Sequence, residues 1–306
     1  MKLRNKEPKV QSQLKRRENL LGWAFVTPSL LAFILFVIFP FIAALLLSFT
    51  EWNFLSGLSG IKWVGMKNFL KIASNEDFKQ AIVNTLIYVV ASVPTSLILA
   101  LVIAYILNGE VFGRKALRLA FFLPYISSAV AIAATFRLMF SDKGIINNLL
   151  MNWFGMTEPI RFMVMPKLMR YPVILILLIQ SVGYEMVVYM AALQSVPKEL
   201  YESSRIDGAS SFKQFTKITM PLISPTTFYL VIVKTIGAFK VFSSINIFTT
   251  ATPMPEANSI VTEIYTRAFG RYQFGYASAE SFILFLILLL ITLIQFWGQK
   301  KWVHYD

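Results

Sequence analysis

The sequence predicts an all-α membrane protein with six transmembrane helices, and three observations carry that prediction. Of 306 residues, 56% are hydrophobic and 15% charged, whereas a soluble domain carries about a quarter of its residues as Asp, Glu, Lys and Arg. Mean hydropathy is +0.61. The charges are also segregated: none occurs between Glu18 and Glu51 or between Lys79 and Glu110, gaps of 32 and 30 residues. About 20 apolar residues suffice to cross a bilayer. A soluble globular domain is excluded.

Taken in order, the spans fall at about 20–49, 81–107, 119–136, 171–196, 226–249 and 276–297. The first is too long for a signal-peptide core and lacks a small-residue cleavage site, so it counts as a span. The third is short and stops at Arg137, which reads as an interfacial stop. The fourth carries one charge, Glu185, and the fifth carries Lys234 and Lys240. Glu280, near the start of the sixth, reads as a solvated end residue. No repeat of 20–50 residues divides the chain. The expected organisation is a basic tail over 1–19, one six-helix domain over 20–299 and a short tail over 300–306.

Seven of the 29 basic residues lie in the first 17 positions. Placing that tail inside puts 16 Lys and Arg in the tails and loops of the inner side, against ten opposite. The positive-inside rule then predicts N-in, C-in. The net charge of +13 is explained by this tail facing anionic cytoplasmic lipid rather than by nucleic acid. There is no cysteine, and the single histidine, His304, lies near the C-terminus. Disulfides, thiolate or His-clustered metal sites and His-based triads are therefore not expected. No G-x-x-x-x-G-K-[ST] motif is present, so no nucleotide is bound in the P-loop manner.

Between spans four and five lies a polar segment, 197–221, with three acids and four bases. It reads as two short helices joined by a turn. Pro197 suits the first position of a helix, followed by Leu200, Ser203, Ser204 and Ile206 close to one face. Gly208 can take the left-handed conformation that ends a helix. Ser210 or Ser211 can cap the second helix, in which Phe212, Phe215 and Ile218 recur at helical spacing, and Pro221 closes it. One reading is an amphipathic loop lying on lipid headgroups. The other is a docking element: small Ser203, Ser204 and Ala209 let a partner approach the backbone, and Glu202 and Arg205 make rim contacts.

Glu202-Ser-Ser, three residues, Gly208, then Ile218 and Pro221 resembles the EAA loop of binding-protein-dependent ABC importer permeases. The fuller string Pro-x-Glu-Leu-Tyr-Glu-x-x-x-Ile-Asp-Gly-Ala is similar to the carbohydrate-uptake branch, the relatives of the maltose and glycerol-phosphate permeases. Trp63-Val-Gly-x-x-Asn68-Phe, Asn84-Thr, Leu123-Pro-Tyr125 and Gly144-x-x-Asn147 extend the likeness over the first half of the chain. Phe239-x-x-Phe242 through Thr250-x-x-Pro253, and Phe274-Gly-Tyr-Ala-Ser-Ala279, extend it over the second. The order and spacing of these motifs together are specific. Two positions depart from the pattern: Glu-Ala-Ala reads Glu202-Ser203-Ser204, and the usual Gly-Gly-Pro after span five is Thr-Pro-Met-Pro at 252–255.

The resemblance implies the six-helix type I ABC importer (MetI-like) fold in a bacterial plasma membrane. It implies a second, commonly non-identical permease, two ATPase subunits and a lipid-anchored or periplasmic solute-binding protein. ATP and magnesium would sit on the partner ATPase, and this chain would bind no cofactor and be no enzyme. Glu202, Ser203, Ser204, Arg205, Asp207, Gly208 and Ala209 would form the coupling helix and turn seated on an ATPase. A sugar or oligosaccharide path would use Tyr125, Tyr184 and Lys234, where the maltose-type relatives place such contacts. Glu185 and Lys240 join that path as charges within spans, which default to function. For Glu185 and either lysine the competing reading is a structural ion pair; for the tyrosines it is packing or an interfacial belt. An ion-coupled secondary carrier is the alternative function, with Glu185 the one deep acid available to it. An intramembrane hydrolase lacks its aspartates or Ser–His dyad, and a channel lacks a pore loop.

Overall fold

The computed structural model describes residues 9–249 and 257–304. Five helices are long and apolar enough to cross a membrane: Glu18–Leu47 (span one), Glu76–Asn108 (two), Pro166–Ser195 (four), Ser224–Phe248 (five) and Phe274–Gln299 (six). The sixth crossing, span three, is a bent pair, Arg114–Ile126 and Ala129–Met139, whose halves meet at 98°. Helices prevail because a bilayer core offers no water to the peptide N–H and C=O groups. Span two begins where the Asn75 side chain accepts the Phe78 N–H at 3.0 Å, with Glu76 and Asp77 in the first turn. A capping side chain and early acids both favour a helix start.

Three boundaries differ from the sequence reading. Span three is not one helix over 119–136, because Ser127 and Ser128 are extended and interrupt it. The Ser127 hydroxyl donates to the Leu123 carbonyl at 2.8 Å, matching one of the acceptors left over at that helix end. The helix of span one starts at Lys9, within the segment read as a tail, although the stretch able to cross a membrane begins at Glu18. Pro221 does not close its helix. The widened turn Phe215–Thr219 precedes it, and helix Met220–Leu222 leads on to span five. The same arrangement recurs in span one, where the widened turn Ile34–Ile38 precedes Pro40. A proline lacks the N–H for a regular helical bond, and a wider turn before it absorbs the misfit.

Spans two and four form the central pair. Val93, Leu97, Ala100 and Ala104 pack with Met186, Tyr189 and Leu193, and the small residues let the helix axes come close. Leu107 and Val196 belong to this same cluster, so the two spans run parallel and end together. Tyr105 of span two meets Phe215 edge-on at 5.2 Å at this end, beside segment 197–223. Span six returns here too, with the His304 N–H donating to the Ser224 hydroxyl at 3.0 Å. Span three closes on span four through its backbone: a methyl added at Gly183 would overlap the Phe121 carbonyl oxygen. Span one stands on the outside with its apolar face exposed, touching span six through Phe41 and Phe285, 5.2 Å apart.

The opposite end is tied by buried amides that explain the recurring asparagines. Thr50–Glu51 pairs antiparallel with Lys62–Trp63, and Asn68 donates to the Ser48 and Thr50 carbonyls at 2.9 and 2.8 Å. Asn84 donates to the Asn258 carbonyl at 2.9 Å, and the Thr85 hydroxyl accepts the Ile260 N–H at 3.0 Å. Asn147 donates to the Ser141 and Ile160 carbonyls and accepts the Ile160 N–H. Each motif is a clamp on backbone groups that would otherwise be buried unmatched.

Two charges sit otherwise than expected. Glu280 is no solvated end residue: it is 0% exposed, its carboxylate 3.9 Å from Arg267 Nε. Arg267 also binds Glu263 at 2.8 Å and Asp77 at 3.4 Å, so four charges from three segments meet there. Arg137 is no simple stop, because its guanidinium donates to the Ile247 carbonyl at 3.1 Å and ties span three to the end of span five. The Thr-Pro-Met-Pro segment, 252–255, lies outside the described residues.

Gly183→Ala is expected to destabilise the permease by about 1–3 kcal/mol, the usual cost of an overpacked contact. Gly298→Ala, with no atom within 4 Å of the added methyl, is the matched control. Thermal unfolding of the detergent-purified protein should separate the two.

Candidate functional site

A cavity of about 400 Å³ opens where spans three, four and five meet. The bend in span three supplies Tyr125 and Ser127, span four supplies Gln180, Ser181, Tyr184 and Glu185, and span five supplies Lys234. Tyr125 and Tyr184 stack face to face, with ring centroids 5.0 Å apart and planes inclined by 21°. The Tyr184 hydroxyl lies 3.2 Å from that of Tyr229, which locks the ring edge to span five.

Behind the rings is a buried charge pair. Glu185 is 2% exposed and accepts a hydrogen bond from the Ser96 hydroxyl at 3.3 Å. Lys234 Nζ lies 3.9 Å from Glu185 Oε1 and donates to the Leu177 carbonyl at 3.0 Å. A buried charge persists when it is paired and hydrogen-bonded, and both conditions hold here. The competing reading of a structural ion pair is thus realised for Glu185 and Lys234, yet both side chains also line the cavity. Lys240 does not join them. It caps the helix Ser224–Phe239 and is exposed, because six residues place it on another face from Lys234. Stacked aromatic faces beside a few directed polar groups suit a polar ligand with apolar ring faces, such as a saccharide.

The polar segment 197–221 is the second candidate site. Its first helix is Lys198–Ile206, with Pro197 in extended conformation just before it rather than at its first position. Gly208 takes φ +73° and turns the chain, and Ser210 caps the second helix by accepting the Lys213 N–H. Glu202, Ser203, Arg205 and Asp207 are exposed, and Ala209 is half-buried under the turn. Ser204 does not face outward. Its hydroxyl donates to the Tyr201 carbonyl and accepts from buried Gln214 Nε2 at 2.9 Å, joining the two helices. The hydroxyls of Tyr201 and Thr219 lie 2.8 Å apart and add a second tie.

Ile206 also departs from the face expected of it: it is 87% exposed, and Phe212 across the turn is 77% exposed. Two large apolar side chains on a hydrophilic loop are the kind of exposed anchor that a partner surface covers. Periodicity missed them because it assigns apolar residues to a core. It also missed Gln180 and Ser127, which carry no spacing that marks them for the cavity, and Tyr229, whose hydroxyl meets that of Tyr184.

Fold and site define a multi-span membrane protein with a cavity that sets a few polar and charged groups among aromatic and apolar ones, and a polar loop tied by side-chain hydrogen bonds. Residues 69–303 match the family described as binding-protein-dependent transport system inner membrane component, and the chain belongs to that family. It is similar to the probable ABC transporter permease protein YesP of Bacillus subtilis, 35% identical over 97% of this chain and 96% of that one. It is likewise similar to the lactose transport system permease protein LacF of Rhizobium radiobacter, 32% identical over 95% and 98%. A solved structure of a bacterial alginate ABC transporter, in complex with an alginate pentasaccharide-bound periplasmic protein, aligns with TM-score 0.81 at 26% identity, covering 96% of this chain and 98% of that one.

Two outcomes check the site. Tyr184→Ala should lower solute uptake by up to about tenfold, from the loss of an aromatic contact worth about 0.5–1.5 kcal/mol, while Tyr184→Phe keeps the stack and most of the uptake. Glu185→Gln and Lys234→Met should be non-additive by more than about 1 kcal/mol in a thermal-unfolding cycle, as expected of a buried pair.

Proposed function

We propose that this chain is the permease subunit of an ATP-driven, binding-protein-dependent importer of a sugar or oligosaccharide. It would form half of the translocation path beside a second, non-identical permease. The observation that carries the reading is the stacked Tyr125–Tyr184 pair over Glu185 and Lys234 within the membrane. The lactose permease and the alginate transporter among its relatives support the saccharide class.

ATP and magnesium would be bound by two partner ATPases, and the loop 197–223 would transmit their motion. Glu202, Ser203, Arg205, Asp207, Gly208 and Ala209 would meet the ATPase cleft, with Ser204 holding the loop together from behind. The loop end is then cytoplasmic, both termini are cytoplasmic, and the hairpin end faces the binding protein outside a bacterial plasma membrane. The helical run from Ser211 through Leu222, joined to span five across the single turn residue Ile223, lets the loop move that span as a lever. Lys234 rides on the lever, so a push at the loop reaches the cavity directly.

The test is ATP hydrolysis by the complex, co-expressed with the neighbouring permease and a candidate ATPase. Rates are compared with and without binding protein loaded with a panel of oligosaccharides. Stimulation by a loaded saccharide supports the reading. Gradient-driven uptake by the chain alone, independent of ATP, overturns it in favour of a secondary carrier. Gly208→Asp places a side chain at positive φ, where it costs about 1–2 kcal/mol. It should abolish the stimulation while leaving membrane insertion intact, and stimulated hydrolysis at the normal rate in that variant would remove the loop from the coupling path.

A further inference from the structure

Two arginines at the loop end carry donors that no protein group meets. Arg114 and Arg118 stand on the first half of span three. Arg114 Nε, Arg118 Nε and Arg118 Nη2 are shielded from solvent and have no hydrogen-bond partner among the described residues. The rest of each side chain is partly exposed. Arg137 is met by the Ile247 carbonyl and Arg267 by three carboxylates, while Arg170, whose Nε is also shielded and unmet, still donates through Nη2 to the Asn84 amide oxygen. Arg114 and Arg118 differ in that no described group meets any of their guanidinium nitrogens, and shielded donors are costly to leave unfilled.

The helix sets where these donors lie. Arg118 and Arg114 precede Tyr125 by seven and eleven residues, close to two and three turns, so all three share a face. At 1.5 Å per residue they stand about 10 and about 16 Å along the axis from the ring that lines the cavity. That face lies against span four, since the Phe121 carbonyl meets Gly183 and Tyr125 stacks on Tyr184. The row therefore begins at the aromatic pair and descends to the loop end. Lys234 stands at its head. Glu185 is the one acid within spans three, four and five, and it is held between Lys234 and the Ser96 hydroxyl. Glu110 precedes the helix and is exposed, and Lys115 is exposed on another face.

We infer that the transported saccharide is acidic, a uronate-containing oligosaccharide whose carboxylates are met by Lys234 in the cavity and by Arg118 and Arg114 on the way to the cytoplasm. This rests on the permease reading and adds the charge of the cargo to it. A carboxylate is planar with two acceptor oxygens and matches the guanidinium fork in both shape and charge. A neutral sugar would leave Arg114 and Arg118 without a counter-charge, whereas Lys234 already has Glu185 beside it.

The test uses the complete complex in proteoliposomes, with binding protein, and pairs each uronate oligosaccharide of a panel with its carboxyl-reduced, neutral counterpart. The affinity of the binding protein for each is measured separately. A uronate form is expected to stimulate ATP hydrolysis and enter the vesicles. The double variant Arg114→Gln, Arg118→Gln should lower that uptake by about tenfold or more, the worth of a hydrogen bond to a charged group. Arg114→Lys, Arg118→Lys should recover much of it, and co-purification of all subunits reports assembly in each case.

Uptake of neutral saccharides alone would overturn the inference and leave the importer reading standing. A double variant that lowers neutral and acidic uptake equally would also overturn it, assigning the arginines to lipid or to the second permease. Failure of every saccharide, neutral or acidic, to stimulate hydrolysis would remove the importer reading and this inference with it.

Discussion

Spans three and four approach until the Phe121 carbonyl lies against Gly183, closer than any side chain at that position would permit. The cavity depends on this backbone contact. It brings Tyr125 over Tyr184, and the extended Ser127–Ser128 link just beyond it swings the second half of span three away through 98°. One helix thus touches its neighbour below the bend and diverges above it, and the space between is the cavity. Without a hydrophobic driving force between helices in lipid, close packing and interhelical hydrogen bonds must hold such a junction. Between spans three and four the Gly183 contact and the Tyr125–Tyr184 stack do this. On the far side of the cavity the Tyr184–Tyr229 hydroxyl contact and the bond from Lys234 to the Leu177 carbonyl fix span four to span five.

The two ends of the bundle are built differently, and the difference fits their proposed tasks. At the hairpin end, buried Asn68, Asn84 and Asn147 clamp loops by their backbones, and Arg267 gathers Asp77, Glu263 and Glu280. Breaking a buried charge cluster leaves unpaired charge behind, so this end resists deformation. At the loop end the ties are fewer and local. Ser204, Gln214, Tyr201 and Thr219 bind the two loop helices to each other and to the root of span five. The loop is therefore tied within itself and joined to one span through Ile223, while Ile206 and Phe212 stand exposed on it.

Much of the site could be read from residue type. Tyr125, Tyr184, Glu185 and Lys234 stood out as aromatic or charged groups within apolar runs, and all four line one cavity. Lys240 stood out for the same reason and lies elsewhere, because a charge in a span signals a cost without indicating the face that meets it. Ser203 and Ser204 look equivalent in sequence, but neighbouring helix positions point about 100° apart. One is exposed and the other is bonded to Gln214. Glu280 was misplaced because Arg267, its partner, lies in a different segment and comes within 3.9 Å only in the folded chain.

The number and order of the membrane crossings, the polar loop with its glycine turn and the absence of cysteine or P-loop chemistry were determined by the sequence alone. Each follows from composition or local backbone preference, which solvent and sterics impose residue by residue. The bend in span three, the continuity of helix through Pro221 and the pairing of Glu185 with Lys234 were decided by the tertiary structure. A break between two equally apolar stretches leaves no mark in hydropathy. A proline stops or merely widens a helix according to what packs around it, and a buried charge finds its partner through space rather than along the chain.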